Sequence, residues 1–396
     1  MSFSLRPEYG EDPELAVLVK RLREYLHGEL ADYEHEHGLT HRSVLTRDLL
    51  EPVWRRSREL GFYGIHLPEA LGGAGLSYTA LGALKEEVGA SGRVLSTSVL
   101  GDMGGPLRVG SLFDIATPAQ IETYLRPVVE AERACCFSMT EDDAGSDVRR
   151  MTTTATRVEG GYRITGKKVF STAGTFADFA LVVARMAGQE EAYSAFLVDL
   201  DRPGVRVEDG ALPLTGQNIE SDVVLDDCFV PAENLLGEEG QGLRIALGRV
   251  TANRLLHCPT ALGSARRVIA LTLRHAAQRP VSGGLLLEKQ AVQHMLADMV
   301  TEFQAARTLT YDGLRALDAG ERPRIESFMA KLFVGESAFR IADTAMQLHG
   351  KAGMVLGAEV ERIWHGLRMF RVLTGASEIQ RNGIVRELVT HLGELD

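Results

Sequence analysis

The sequence is poor in the features that mark several protein classes. Four cysteines occur in 396 residues, Cys135, Cys136, Cys228 and Cys258, and their spacing fits neither a disulfide framework nor a C-x-x-C metal site. They read as buried thiols. Positive charge is also scarce: 43 Lys and Arg against 54 Asp and Glu leave a formal charge of -11. A surface that neutralises phosphates needs the opposite balance, so nucleic acid is excluded as a partner. No apolar run reaches the length of a membrane span, and Met1 to Gly10 has no apolar segment of the secretory kind. The expected compartment is the cytoplasm. Internal repeats and low-complexity stretches are missing too.

What remains is an ordinary globular chain, 45% hydrophobic and long enough for more than one core. Its pattern changes twice. From Pro13 to about Tyr124, apolar residues recur at three- and four-residue spacing, as in LAVLVKRLREYLHGELADYEHE and LLEPVWRRSRELGFYGI. The intervening PEALGGAGLSYTALGALKEEVG reads as a tight loop feeding a helix, with Ser77 or Thr79 as the cap. Its GGAG is a plain turn, because it lacks the G-x-G-x-x-G spacing of a phosphate loop. From Cys135 to about Leu236, short β-type runs alternate with turn residues, including a hairpin about Glu159-Gly160-Gly161 and the runs FALVVARM, SAFLVDL and SDVVLDDCFV. From Gly237 onward long amphipathic helical runs return and imply a bundle. The expected fold class is α+β in three zones: residues 1–132 helical, 133–238 a β-domain, 239–396 a helical bundle.

Two stretches of the β-zone draw attention. CCFSMTEDDAGSDV reads as a strand ending near Thr140 in a polar turn, either a simple turn or a holder of an anion through its backbone N–H groups. GYRITGKKVFSTAGTF follows it. The acidic run Glu141-Asp142-Asp143 reads as a solvated loop.

Together these stretches resemble the acyl-CoA dehydrogenase superfamily, with its T-E-x-x-A-G-S-D and G-x-K-x-[WF]-[IS]-[ST] segments. LPEALGGAGLS, RPVSGGLLLEKQAVQHMLADM, AMQLHGKAGM and GASEIQRNGIVREL extend the resemblance in order over nearly the whole chain. It implies an N-terminal helical domain, a β-barrel-like middle domain, a C-terminal four-helix bundle and FAD held between them. Phe137, Met139 and Thr140 would flank the flavin on one side and Phe170, Ser171 and Thr172 on the other, their amides and hydroxyls bonding the ring edges. Ser146 would sit by the pyrophosphate or the thioester carrier, and Asn253 and Arg254 by the substrate. Arg279 would reach the FAD diphosphate of a neighbouring subunit. Gln347 and Gly350 would meet the ADP half. The family's phenylalanine after that arginine is Ser282, the second glycine of its Q-x-x-G-G is Lys351, and the proline of its T-E-P is Asp142.

The implied activity is an FAD-dependent oxidoreductase acting on the CH–CH group of an acyl-CoA or acyl-carrier-protein thioester. The implied assembly is a homodimer or homotetramer, with the electron acceptor open. That chemistry needs a carboxylate to take the α-proton. The family's two base positions correspond here to Thr374 and Asn253, neither of which titrates near neutrality. Glu378 is the expected substitute, since residues 374 and 378 would share a helical face. Two alternatives stand beside it: flavin-dependent oxygenation or rearrangement of a carrier-bound thioester, and a catalytically silent subunit paired with an active paralogue.

Overall fold

The computed structural model describes residues 12–189 and 191–390. Its residues gather into two compact units. The first takes the chain up to His41, Ser77–Ser96 and everything from Thr251; the second takes Arg42–Leu76 and Thr97–Val250.

The first unit is helical. Helix α1 (Pro13–His27) starts where the Asp12 carboxylate accepts from the Glu14 and Leu15 amides and Pro13 presets the first turn. It buries Leu15, Val19, Leu22 and Leu26, the three- and four-residue spacing visible in the sequence. Helix α2 (Glu29–Glu36) follows, and α3 (Arg47–Glu59) belongs to the other unit. Of the two candidate caps for α4 (Tyr78–Ala90), Ser77 is the one used, accepting from Ala80 N at 3.2 Å. The Thr79 amide and hydroxyl instead donate to the Asp318 carboxylate. The long runs of the last zone become α5 (Gly242–Gln278), α6 (Gln290–Asp318), α7 (Arg324–His349), α8 (Glu359–Phe370) and α9 (Ser377–Thr390). Helices α4 and α5 meet backbone to backbone. A Cβ on Gly89 would lie 2.1 Å from Thr260 O, and one on Gly263 the same distance from Glu86 O, so only glycine permits the approach. Beside that contact, Arg307 pairs with Glu86 at 3.1 Å, and Arg23 and Arg266 pair with Glu87 at 2.7 and 2.9 Å.

The second unit is built on one mixed sheet. Its strands are β1 (Cys135–Ser138), β2 (Thr154–Val158), β3 (Gly161–Lys168), β4 (Phe179–Met186), β5 (Tyr193–Asp199), β6 (Val205–Asp209), β7 (Ser221–Pro231) and β8 (Leu235–Leu236). The order is β6-β7-β3-β2-β4-β5-β8, with β1 parallel to β4. The expected hairpin is present: Val158 pairs with Gly161 and Gly160 turns the chain at φ 77°. The alternating residues of β3, β4, β5 and β7 bury Ile164, Val182, Phe196 and Val223 in one core. Cys135, Cys136 and Cys228 are buried in this unit and Cys258 in the other.

One feature of the register positions the site. Strand β1 covers an edge of β4 from Phe179 to Val182, and β2 takes up that edge only at Arg185. Between them the chain must leave the sheet and return. That excursion carries Met139, Thr140, Glu141 and Ser146.

Candidate functional site

In the sheet unit, the two stretches singled out from sequence come together. Val169 N donates to Thr140 O at 2.8 Å, and the Ser138 and Ser171 hydroxyls share a hydrogen bond at 2.8 Å. Ser171 is locked from its other side: its amide donates to Ser221 O at 2.8 Å and Ser221 Oγ donates to its carbonyl at 2.7 Å. Phe170, between these anchors, has φ 51° and leaves 52% of its surface exposed. A bulky residue enters the left-handed region only where its surroundings impose it. Thr172 donates its hydroxyl to Glu220 at 2.8 Å, a buried carboxyl whose pKa burial pushes up. Phe137, Met139, Thr140 and Thr172 are half-buried and Ser146 is exposed. An exposed ring beside a thioether and two threonine hydroxyls suits a flat heteroaromatic group with polar edges.

Beneath this rim the structure corrects one expectation. Asp142 and Asp143 are exposed, but Glu141 is not a solvated loop residue: it is 6% exposed and its carboxylate takes four donors. These are the Thr152 amide at 2.6 Å, the Thr152 hydroxyl at 2.7 Å, the Thr153 amide at 3.0 Å and Lys168 Nζ at 2.7 Å. Burial alone would raise the pKa of Glu141. The Lys168 ammonium and the threonine donors outweigh it and hold the carboxyl at about 2. Lys168 is fully buried, so its own pKa is lowered by burial, with Glu141 opposing. The acid of T-E and the lysine of G-x-K are therefore partners across the rim.

In the helical unit, Thr374 lies in the turn between α8 and α9, at φ 57°. This overturns the premise for Glu378. Helix α9 begins at Ser377, so residues 374 and 378 do not share a helical face, and Glu378 is exposed in its first turn. The turn is clamped by side chains. Lys331, 1% exposed, donates from Nζ to Phe370 O at 2.6 Å and sits 3.9 Å from the Phe370 ring centroid. Burial lowers its pKa to about 8, with Cys258 raising it and Arg254 lowering it further. Glu336 accepts from Arg371 Nε at 3.0 Å and from the Ser377 hydroxyl at 2.6 Å. Gln380 donates to the Thr374 and Gly375 carbonyls at 3.3 and 2.7 Å. Asn253 is half-buried. Arg254 is buried, its guanidinium 4.6 Å from the Phe328 ring centroid, and a Cβ on Gly375 would lie 3.8 Å from its Nε.

The residues expected at the ADP half form another corner of this unit. Arg279 follows the end of α5, and Gln347 and Gly350 sit at the end of α7, all exposed. Stacked His275 and His349 rings, 4.3 Å apart, join the two helix ends. Burial, with His275 beside it, lowers His349 to about 4. Among the described residues no hydrogen bond or ion pair engages the Arg279 guanidinium, which leaves it available for a diphosphate.

Sequence reasoning assigned no role to Ser138, Lys168, Glu220, Lys331, Glu336 or Gln380. Lys168 had a signal, being the lysine of the quoted motif. The others act through partners distant in sequence.

Three family descriptions match the chain: the acyl-CoA dehydrogenase N-terminal domain over residues 12–132, the middle domain over 136–228 and the C-terminal domain over 240–389. Among curated relatives, benzylmalonyl-CoA dehydrogenase of Aromatoleum aromaticum is 34% identical over 346 residues, 85% of this chain and 89% of that protein. The caffeyl-CoA reductase-Etf complex subunit CarC of Acetobacterium woodii is 32% identical over 338 residues, 84% and 88% of the two chains. An acyl-CoA dehydrogenase structure from Geobacillus kaustophilus superposes with a TM-score of 0.86 at 27% identity, covering 96% of this chain and 99% of that one. Sequence, fold and the paired motifs agree: the chain belongs to the acyl-CoA dehydrogenase superfamily of FAD-dependent oxidoreductases.

Proposed function

We propose that the chain moves a hydrogen pair across the Cα–Cβ bond of an acyl-CoA thioester and exchanges electrons with an electron-transferring flavoprotein. The convergence of residues 137–140 and 170–172 on one rim carries this reading. FAD, when bound, supplies the two-electron centre. Phe170 offers the ring an apolar face, half-buried Thr140 and Thr172 stand at its edges, and buried Ser171 fixes the backbone between them. Arg279 supplies a fixed charge for the FAD diphosphate of a neighbouring subunit, with Gln347 and Gly350 at an ADP half. Ser146 meets the pyrophosphate or the thioester carrier, and Asn253 and Arg254 bind substrate. The Etf partner is inferred from the caffeyl-CoA reductase relative, whose name includes one. That relative is named for the reductive direction. Among the described residues no helix is long and apolar enough to cross a membrane. A cytoplasmic homodimer or homotetramer is part of the proposal, supported by exposed Val385 and Val389 on α9. So is the division at residues 132 and 238.

Thr374 occupies the position that the resemblance gives to the base. Its hydroxyl cannot hold the α-proton at neutral pH, so proton exchange at the substrate's α-carbon limits the rate. Purified protein should be yellow, with FAD released by acid. Anaerobic addition of acyl-CoA thioesters should bleach the flavin absorbance slowly. A colourless protein that cannot be reconstituted with FAD contradicts the cofactor assignment, and oxygen-dependent turnover without anaerobic bleaching contradicts the reaction.

A further inference from the structure

We propose that Arg249, with Arg108 beside it, binds a free carboxylate on the acyl group, so that the preferred substrates are dicarboxylyl thioesters. This rests on the thioester reading above. Arg249 lies on α5 within the sheet unit and is 6% exposed. Its guanidinium carbon is 4.6 Å from the centroid of Phe137, a residue of the candidate flavin rim. Its Nε donates to Arg108 O at 3.0 Å. Among the described residues no carboxylate pairs with it, and the nearby groups acting on its charge are Arg108 and the buried thiols of Cys135 and Cys136.

A buried cation without a counter-charge is costly, so an anionic ligand that pairs with it gains by relieving that cost. Burial first, and Arg108 second, pull Arg249 down to about 10, which leaves it protonated at neutral pH. Glu220, the buried acid of the rim, accepts from Thr172, and burial raises its pKa with Thr172 and Arg108 opposing; it makes no ion pair with Arg249. With Nε spent on a carbonyl and one face against Phe137, the two terminal nitrogens of Arg249 form a planar fork. That fork matches the two oxygens of a carboxylate. A phosphate dianion would bring more charge than one guanidinium against an aromatic ring can balance. Because Phe137 belongs to the rim, a carboxylate held by Arg249 would lie beside the flavin, where the thioester reading requires the reacting acyl group to come.

The test is calorimetric titration of the FAD-loaded protein with succinyl-, glutaryl- and adipyl-CoA against butanoyl-, pentanoyl- and hexanoyl-CoA. At least one diacid should bind roughly ten- to a hundredfold more tightly than its monoacid of equal length, as a charge-assisted hydrogen-bond pair implies. Arg249→Met, which keeps the stem and removes the charge, should erase the preference. Arg249→Lys should retain part of it. If Arg249→Met does not fold, the wild type decides alone: methyl-esterifying the free carboxyl must reduce binding to the monoacid level. Equal affinity for diacids and monoacids, or a preference that survives Arg249→Met, overturns the proposal and leaves the thioester reading standing. Binding of neither series overturns both.

Discussion

Phe170 and Thr374 share a left-handed backbone that neither side chain favours, yet the protein holds them by opposite means. Phe170 is fixed by its own neighbours in chain and sheet: Val169 N on Thr140 O, Ser171 between Ser138 and Ser221, and the Glu141–Lys168 pair below. Thr374 is fixed by side chains reaching from α7 and α9: Lys331, Glu336 and Gln380. A sheet edge carries its geometry in the backbone. A turn between helices has only borrowed donors and acceptors, so its shape survives a change of the residue it presents. The structure thus keeps the frame around position 374 with a hydroxyl in place.

The largest expected effect falls on the sheet side. Glu141→Gln leaves the Lys168 charge buried without a partner and should cost about 3–5 kcal/mol in chemical denaturation. Lys168→Met added to it should recover much of that loss, because the uncompensated charge goes as well. The same pair sets an acid limit. Glu141 has a folded pKa near 2, below its ordinary 4.5, so its contribution is complete above pH 4.5 and is lost as pH falls towards 2. A wild-type stability that is flat through that window would show that the pair is not what braces the rim.

A smaller effect is expected on the turn. Lys331→Met removes the donor from Phe370 O and should cost about 1–3 kcal/mol. Amide exchange at residues 371–377 should accelerate while exchange in β3 and β4 stays as before. Uniform acceleration in both places would make Lys331 a general core residue and not a clamp on Thr374.

The same contrast explains what could be read from the sequence. The change of period at Cys135, the hairpin at Gly160 and strand Phe179–Met186 are local patterns, and all are present. Strand Val205–Asp209 is harder to read: it is a five-residue edge strand paired with β7 alone, and its Val-Arg-Val-Glu alternation is too short and too exposed to mark a strand by itself. Glu141 reads as solvated from its exposed neighbours Asp142 and Asp143, because its partner Lys168 lies 27 residues away in sequence. The helical face that the sequence suggests for residues 374 and 378 is interrupted because the backbone turns left-handed at Thr374. The rim residues were legible through the family motifs. The side chains that hold Thr374 were not, because each reaches the turn from another helix.

Thr374 offers the most direct decision on how this chain works. Flavin reduction by a bound acyl-CoA thioester, followed anaerobically in wild type and in Thr374→Glu at matched FAD content, should be about 100- to 10,000-fold faster in the variant, the usual gain from a positioned base. A variant that retains FAD, binds the thioester and reduces its flavin no faster than wild type would contradict the assignment of position 374 as the place of the missing carboxylate.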